Sequence, residues 1–200
     1  QDVAQRALMT TLVKYEADHG SVIVMEVATG RIVAIANLGL TEKGIYEEHR
    51  NYAVWESTEP GSTFKLASLL VGLEDGKIDS AQMVETGNGI YTIYGKHVRD
   101  SNVKNGQGGY GRISVAEAFR VSSNTGIVKA VYGAYKDSPQ EFVDQLYNMG
   151  LQRKTGIKIK GEKAPSIPTP KDKNWSGLSL PWMIFGYEVS FTPLQMLAFY

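Results

Sequence analysis

Apolar residues recur at helical spacing near the start of the chain. Val3, Ala4, Ala7, Leu8 and Leu12 share one face of a helix predicted over residues 3–13. The period then changes. "SVIVMEV" and "RIVAIAN" are β-type runs joined by "ATG", which predicts a hairpin from Ser21 to Asn37 with Gly30 supplying a positive φ. Residues 38–58 are polar and aromatic, and they lead into "EPGSTFKLASLLVGL". From Phe64 to Leu73 that stretch holds a single charge, Lys65, and predicts a helix entered at Ser62 and stopped near Gly76. Residues 84–112 are rich in glycine and predict short strands or loops around a cleft. "SVAEAFR" starts a helix with Ser114 as N-cap and Glu117 three residues on, the pattern of a capping box. "SPQEFVDQLYNMGL" gives another, with Ser138 as N-cap, Pro139 in the first turn and Gly150 as the stop. Residues 161–181 read as a Pro- and Lys-rich loop. Thr192 and Pro193 then open a helix that runs apolar to Tyr200 with no stop signal. A short helix of this kind needs a partner, and the expectation is a chain cut inside an element.

Composition narrows the possible functions. The 200 residues are 42% hydrophobic and 21% charged, enough for one sizeable core or part of a larger one. Lys+Arg and Asp+Glu both number 21, so the formal net charge is zero, and no basic stripe makes an electrostatic case for nucleic acid. Without cysteine there is no disulfide and no thiolate chemistry. His19, His49 and His97 are scattered and lack metal-ligand spacing, so no metal site is expected from them. No apolar run approaches the roughly 18 residues of a membrane span. Gly106, Gly108 and Gly111 of "GQGGYG" fit a dinucleotide-binding pattern. They follow a polar stretch instead of a strand, which argues against that use.

The candidate chemistry begins at Ser62 and Lys65. Three residues apart on a helix, they lie on one face, one turn from each other. Serine is a weak nucleophile until a base takes its proton, and a desolvated lysine is such a base. A helix N-terminus adds positive potential where an oxyanion develops. The plain alternative is a Ser N-cap on a core helix, with Lys65 reaching out to solvent. A second group, "VSSNTG", offers Ser122 as a proton relay and Asn124 as a hydrogen-bonding partner of Lys65 and of a substrate amide. Taken alone, that tripeptide also reads as a helix end.

S-x-x-K followed by S-x-N resembles the signature of penicillin-binding proteins and serine β-lactamases. The blocks "VIVMEVATGRIVAIAN", "NYAVWESTEPGSTFK", "GRISVAEAFRVSSNTG", "MGLQRKTGIKIKGE" and "GYEVSFTPLQMLAFY" look like successive blocks of the class B penicillin-binding proteins, the monofunctional peptidoglycan D,D-transpeptidases. The resemblance covers nearly the whole chain, in order. It implies an α+β fold, an antiparallel sheet packed between helices, with residues 1–200 forming the N-terminal part of one transpeptidase domain that is incomplete at its C-terminus. It also implies that Lys154, Thr155 and Gly156 belong to a structural block, not to the catalytic K-[ST]-G, which in this family lies on a later strand. A chain lacking that strand is expected to be weakly active or inactive alone.

The same resemblance implies the roles. Ser62 is the nucleophile, Lys65 the base, and Ser122 and Asn124 the relay, with Asn124 also on the substrate. The substrate is a peptidoglycan stem peptide, and β-lactams acylate the same serine. No metal or cofactor is implied. Cell-wall synthesis proteins are the expected partners. The expected location is the cell envelope, at the outer (periplasmic) face of the cytoplasmic membrane, with an anchor outside this chain. A β-lactam sensor, a degenerate scaffold domain and a β-lactamase are the alternatives on the same framework.

Overall fold

The computed structural model describes residues 1–200, which divide into two units. The first comprises Gln1–Thr58, Leu151–Ser166 and Ser190–Tyr200. Helix α1 (Asp2–Tyr15) packs on a hairpin of β1 (His19–Met25) and β2 (Ile32–Leu40), to which the short β3 (Tyr46–Glu47) adds. The pairing is antiparallel, from His19 opposite Gly39 to Met25 opposite Ile32, and Gly30 turns the corner at φ +68°. The predicted hairpin is therefore present, beginning two residues before Ser21 and ending three beyond Asn37.

The α1 stripe is narrower than its sequence suggests. Ala4, Leu8 and Leu12 are buried against Ala34, Ala36 and Leu38, whereas Val3 is 72% exposed and Ala7 is exposed. A single row at a spacing of four suffices to cover this side of the hairpin. Helix α2 (Tyr52–Trp55) is tied to β2 because the Asn37 side-chain oxygen accepts from the Ala53 amide at 3.0 Å.

The last helix of this unit, α8 (Pro193–Phe199), starts with a complete capping box of Thr192 and Gln195. Gln195 Nε2 donates to the Lys163 carbonyl at 2.8 Å and to Glu162 at 3.1 Å, and the same Glu162 oxygen accepts from the Thr155 amide at 2.7 Å. Lys154–Thr155–Gly156 is thus part of a loop closed by Glu162. No strand follows it: residues 156–160 are irregular and Ile159 is 41% exposed.

The second unit comprises Glu59–Gly150 and Ile167–Val189. It is built on α3 (Lys65–Glu74) and α5 (Asn124–Tyr135), with α4 (Val115–Arg120), α6 (Pro139–Asn148) and α7 (Ser179–Ile184) around them. Two small antiparallel pairs complete it: β4 (Met83–Glu85) with β7 (Arg112–Ser114), and β5 (Ile90–Ile93) with β6 (Lys96–Arg99). Helix α3 buries Ala67, Ser68, Leu69 and Val71, and α5 buries Ile127, Val128, Ala130 and Val131. Tyr135 closes their far end, donating its hydroxyl to Asp75 at 2.6 Å.

Local caps depart from expectation in informative ways. Ser114 does accept from the Glu117 amide at 3.1 Å, but the Glu117 carboxylate turns to Arg120 instead of back to the cap, so half of the box forms. Ser138 precedes α6 as predicted, yet its hydroxyl goes to the Glu141 carboxylate at 3.1 Å. In both places a nearby charged partner outcompetes a neutral backbone amide for the side chain.

Candidate active site

Ser62 lies in a 3-10 turn, Gly61–Phe64, that leads without a break into α3. It makes no side-chain cap, and neither does Phe64 at the N-cap position of α3, so the plain reading of Ser62 as an N-cap is wrong. Residues three apart eclipse one another in a 3-10 turn. Here the Lys65 amide donates to the Ser62 carbonyl, which stacks Lys65 one turn below Ser62. Ser62 is exposed; Phe64 is fully buried and anchors the turn.

The turn is held from outside by residues 186–188. The Gly61 amide donates to the Gly186 carbonyl at 3.0 Å, and the Glu188 amide donates to the Glu59 carboxylate at 2.8 Å. The two backbones meet so closely that a Cβ on Gly186 would lie 2.0 Å from the Gly61 carbonyl oxygen. Gly186 sits at φ +90° and Gly61 at φ +56°, so both positions favour glycine for conformation, and Gly186 needs it for space as well.

Lys65 is 1% exposed, so its ammonium does not reach solvent. It donates to the Ser122 carbonyl at 2.7 Å and to Ser122 Oγ at 3.0 Å. Burial pushes its pKa down from 10.5 to about 8, while the negative charge of Asp100 works the other way.

Ser122 adopts a left-handed conformation, φ +54°, in the turn between α4 and α5. Few non-glycine residues rest there unless their surroundings hold them. The hold comes from Asp100, 3% exposed at the end of β6. Its carboxylate accepts from Ser123 Oγ at 3.0 and 3.1 Å, from the Thr125 amide at 2.8 Å and from Thr125 Oγ1 at 2.8 Å. Ser123, and not Ser122 or Asn124, is the N-cap of α5, accepting from the Gly126 amide at 2.9 Å. Asn124 occupies the first helical position, and its Nδ2 donates to the Arg99 carbonyl at 2.7 Å. The expected Asn124–Lys65 bond is not made: Asn124 Nδ2 donates to the Arg99 carbonyl, and the Lys65 ammonium donates to Ser122.

The four sequence-predicted residues therefore fall into one unit, with Lys65 and Ser122 bonded, Ser62 one turn above Lys65, and Asn124 two residues from Ser122. Lys154 and Thr155 belong to the other unit. Comparison with known proteins gives this constellation its context. Residues 20–200 match the penicillin-binding protein transpeptidase domain.

The chain belongs to that family. Among its curated relatives, peptidoglycan D,D-transpeptidase FtsI of Escherichia coli K12 is 26% identical over the whole of this chain and 33% of its own length. The probable peptidoglycan D,D-transpeptidase PenA of Neisseria gonorrhoeae is 28% identical, over 98% of this chain and 32% of its own. The chain thus spans about a third of the length of the curated relatives it matches. The transpeptidase domain of Burkholderia pseudomallei penicillin-binding protein 3 superposes on all of it with a TM-score of 0.82 at 24% identity, and the chain covers 54% of that structure. A structure titled as a peptidoglycan glycosyltransferase from Burkholderia ambifaria gives 0.81 at 25% identity, over 98% of this chain and 56% of that one. The α+β transpeptidase fold expected from the sequence is the fold observed.

Three features of this site carry no clear mark in the sequence. Asp100 sits in "VRDSN", a polar turn that looks solvated. Gly186 is one of many glycines. Ser123 is hidden between the two residues of the S-x-N motif. A buried carboxylate leaves no mark in composition, and only the strand-end position of Asp100 after "KHVR" hinted at order.

Proposed function

We propose that this domain forms an acyl-enzyme at Ser62 and serves peptidoglycan crosslinking as a D,D-transpeptidase. The observation that carries the reading is the buried Lys65 ammonium, bonded twice to Ser122 one turn from the exposed Ser62. A buried lysine without a carboxylate bonded to it is costly, and its retention suits a base. At a pKa of about 8, about a tenth of Lys65 is neutral at pH 7, roughly three-hundredfold more than at 10.5.

In this mechanism neutral Lys65 takes the Ser62 hydroxyl proton as Ser62 Oγ attacks the carbonyl between the two terminal D-alanines of a stem peptide. The tetrahedral oxyanion faces the start of the 3-10 turn, where the Ser62 amide is the donor on this chain. The proton passes from Lys65 through the Ser122 hydroxyl to the leaving amine. The C–N bond breaks, D-alanine departs and the acyl ester on Ser62 remains. Asn124 holds the stem-peptide amide. An amine of a neighbouring stem peptide then attacks the ester, giving its proton back along the same path, and Ser62 is freed. A β-lactam follows the first half and leaves Ser62 acylated. No step calls for a metal or cofactor. The setting is the cell envelope, outside the cytoplasmic membrane; no helix of this chain is long and apolar enough to cross a membrane. Membrane anchoring and partners in cell-wall synthesis belong to the same proposal.

The test is the intact mass of the full-length protein after incubation with a penicillin, beside its Ser62→Ala variant. One stable adduct, lost in the variant, is the expected result. No adduct on folded protein overturns the reading in favour of a scaffold. An adduct that hydrolyses within seconds points to a β-lactamase.

A further inference from the structure

We propose that Asp100 is a positioning residue of this site: its buried carboxylate fixes the left-handed turn that presents Ser122 to Lys65. The inference rests on the acyl-enzyme reading for its kinetic part but on geometry for the rest.

The turn carrying Ser122 has few other restraints. The Ser122 amide bonds Phe119 and the Ser123 amide bonds Ala118, which end α4 but do not choose the direction in which α5 departs. That direction is set by the two oxygens of Asp100, which take Ser123 Oγ, the Thr125 amide and Thr125 Oγ1 together. Beside it the Arg99 carbonyl takes Asn124 Nδ2. Two successive residues at the end of β6 therefore grip residues 123, 124 and 125, and Ser122 is left at the apex with its carbonyl and hydroxyl on Lys65. Asp100 is anchored in turn, since its own amide donates to the Gly89 carbonyl at 2.9 Å.

A carboxylate suits this place better than a neutral side chain. Two oxygens accept three donors at once, and bonds to an ionised acceptor are about twice as strong as neutral ones. Without them fewer bonds hold Ser122 at φ +54°, and it relaxes toward an ordinary backbone conformation, which loosens its bonds to Lys65. The carboxylate also acts through space. Among the titratable groups on β6, α3 and α5, Asp100 is the one whose charge reaches Lys65, opposing the effect of burial.

The experiment uses the full-length protein and two variants, Asp100→Asn and Ser123→Ala. It measures the rate of acylation by a chromogenic cephalosporin, the Lys65 titration followed by the NMR shift of its labelled ε-carbon, and the melting temperature. Asp100→Asn keeps the shape and removes the charge. Its acylation rate falls about ten- to a hundredfold, as when other supporting residues of an active site are removed, and the Lys65 midpoint moves below the parent's. Ser123→Ala keeps the charge and loosens the grip, so its rate falls while the Lys65 midpoint does not drop. A folded Asp100→Asn protein with unchanged rate overturns the proposal, as does a loss of melting temperature with an unmoved Lys65 midpoint. If Asp100→Asn does not fold, Ser123→Ala decides: an unchanged rate there overturns the proposal. Should the parent form no adduct at Ser62, the acyl-enzyme reading fails. The Lys65 midpoint then judges Asp100 alone: a shift in Asp100→Asn keeps the link to Lys65, and none overturns it.

Discussion

The Lys65 ammonium donates at 2.7 Å to the Ser122 carbonyl and at 3.0 Å to Ser122 Oγ, joining α3 to the turn that opens α5. Fifty-seven residues separate the two in the chain. The pair puts a cation where only neutral acceptors bond to it directly, and that arrangement governs how the domain responds to pH.

Lys65 should make stability rise with pH. Its folded pKa of about 8 lies below the ordinary 10.5, so between these values the unfolded chain binds more protons than the folded one. The cost of holding the charge, about 3 kcal/mol for a shift of this size, is fully present below pH 8. It is relieved as pH climbs toward 10.5. Urea unfolding at pH 7 and pH 10 measures the slope. Lys65→Met should flatten it in this window and abolish acylation. An unchanged slope in the variant would show that Lys65 does not titrate there.

Acylation itself should follow the same group. The rate is expected to rise with pH through about 8 as Lys65 loses its proton. Stopped-flow acylation from pH 6 to pH 9.5 tests this; a flat profile rules out Lys65 as the base.

Ser62→Ala should be nearly silent in stability. The side chain is exposed and caps nothing, which places the change within about 0.5 kcal/mol. The acyl adduct should vanish completely. Thermal melting beside mass spectrometry separates the two effects.

Gly186→Ala should do the reverse of a surface mutation. Its Cβ would stand 2.0 Å from the Gly61 carbonyl oxygen at a left-handed φ of +90°. The backbone conformation alone costs about 1–3 kcal/mol, and the clash adds to it. The turn bearing Ser62 must shift, so melting temperature and acylation rate should fall together.

Glu162 gives the first unit its own pH response. Burial opposes its charge, but the Thr155 and Gly156 amides, the Thr155 hydroxyl and Gln195 outweigh burial and hold its pKa below the usual value. Its folded pKa is depressed, so its contribution is complete above the ordinary glutamate value of about 4.3 and is lost as pH falls through the folded pKa. Glu162→Gln should lower the melting temperature at pH 7 and narrow the difference from the parent in acid.

Periodicity and end signals determined the elements. The hairpin, the Ser62–Gly76 helix, the Pro139 start with its Gly150 stop and the Thr192 cap were all legible, because each depends on residues close in the chain. Two short motifs, Ser62-x-x-Lys65 and Ser122-x-Asn124, named the candidate site, and the five sequence blocks around them pointed to the family. What needed the fold was every long-range choice. Lys65 reads equally well as a snorkelling surface lysine until α5 covers it. Asn124 reads as a partner of Lys65 until β6 claims its amide. Asp100 and Gly186 carry no local signal, since a buried carboxylate with three donors and a glycine pressed against another backbone are defined by what arrives from elsewhere. Local patterns fix which segments form. The packing of α3, α5 and the end of β6 decides which polar atoms lose water, and with that which residues have chemistry to perform.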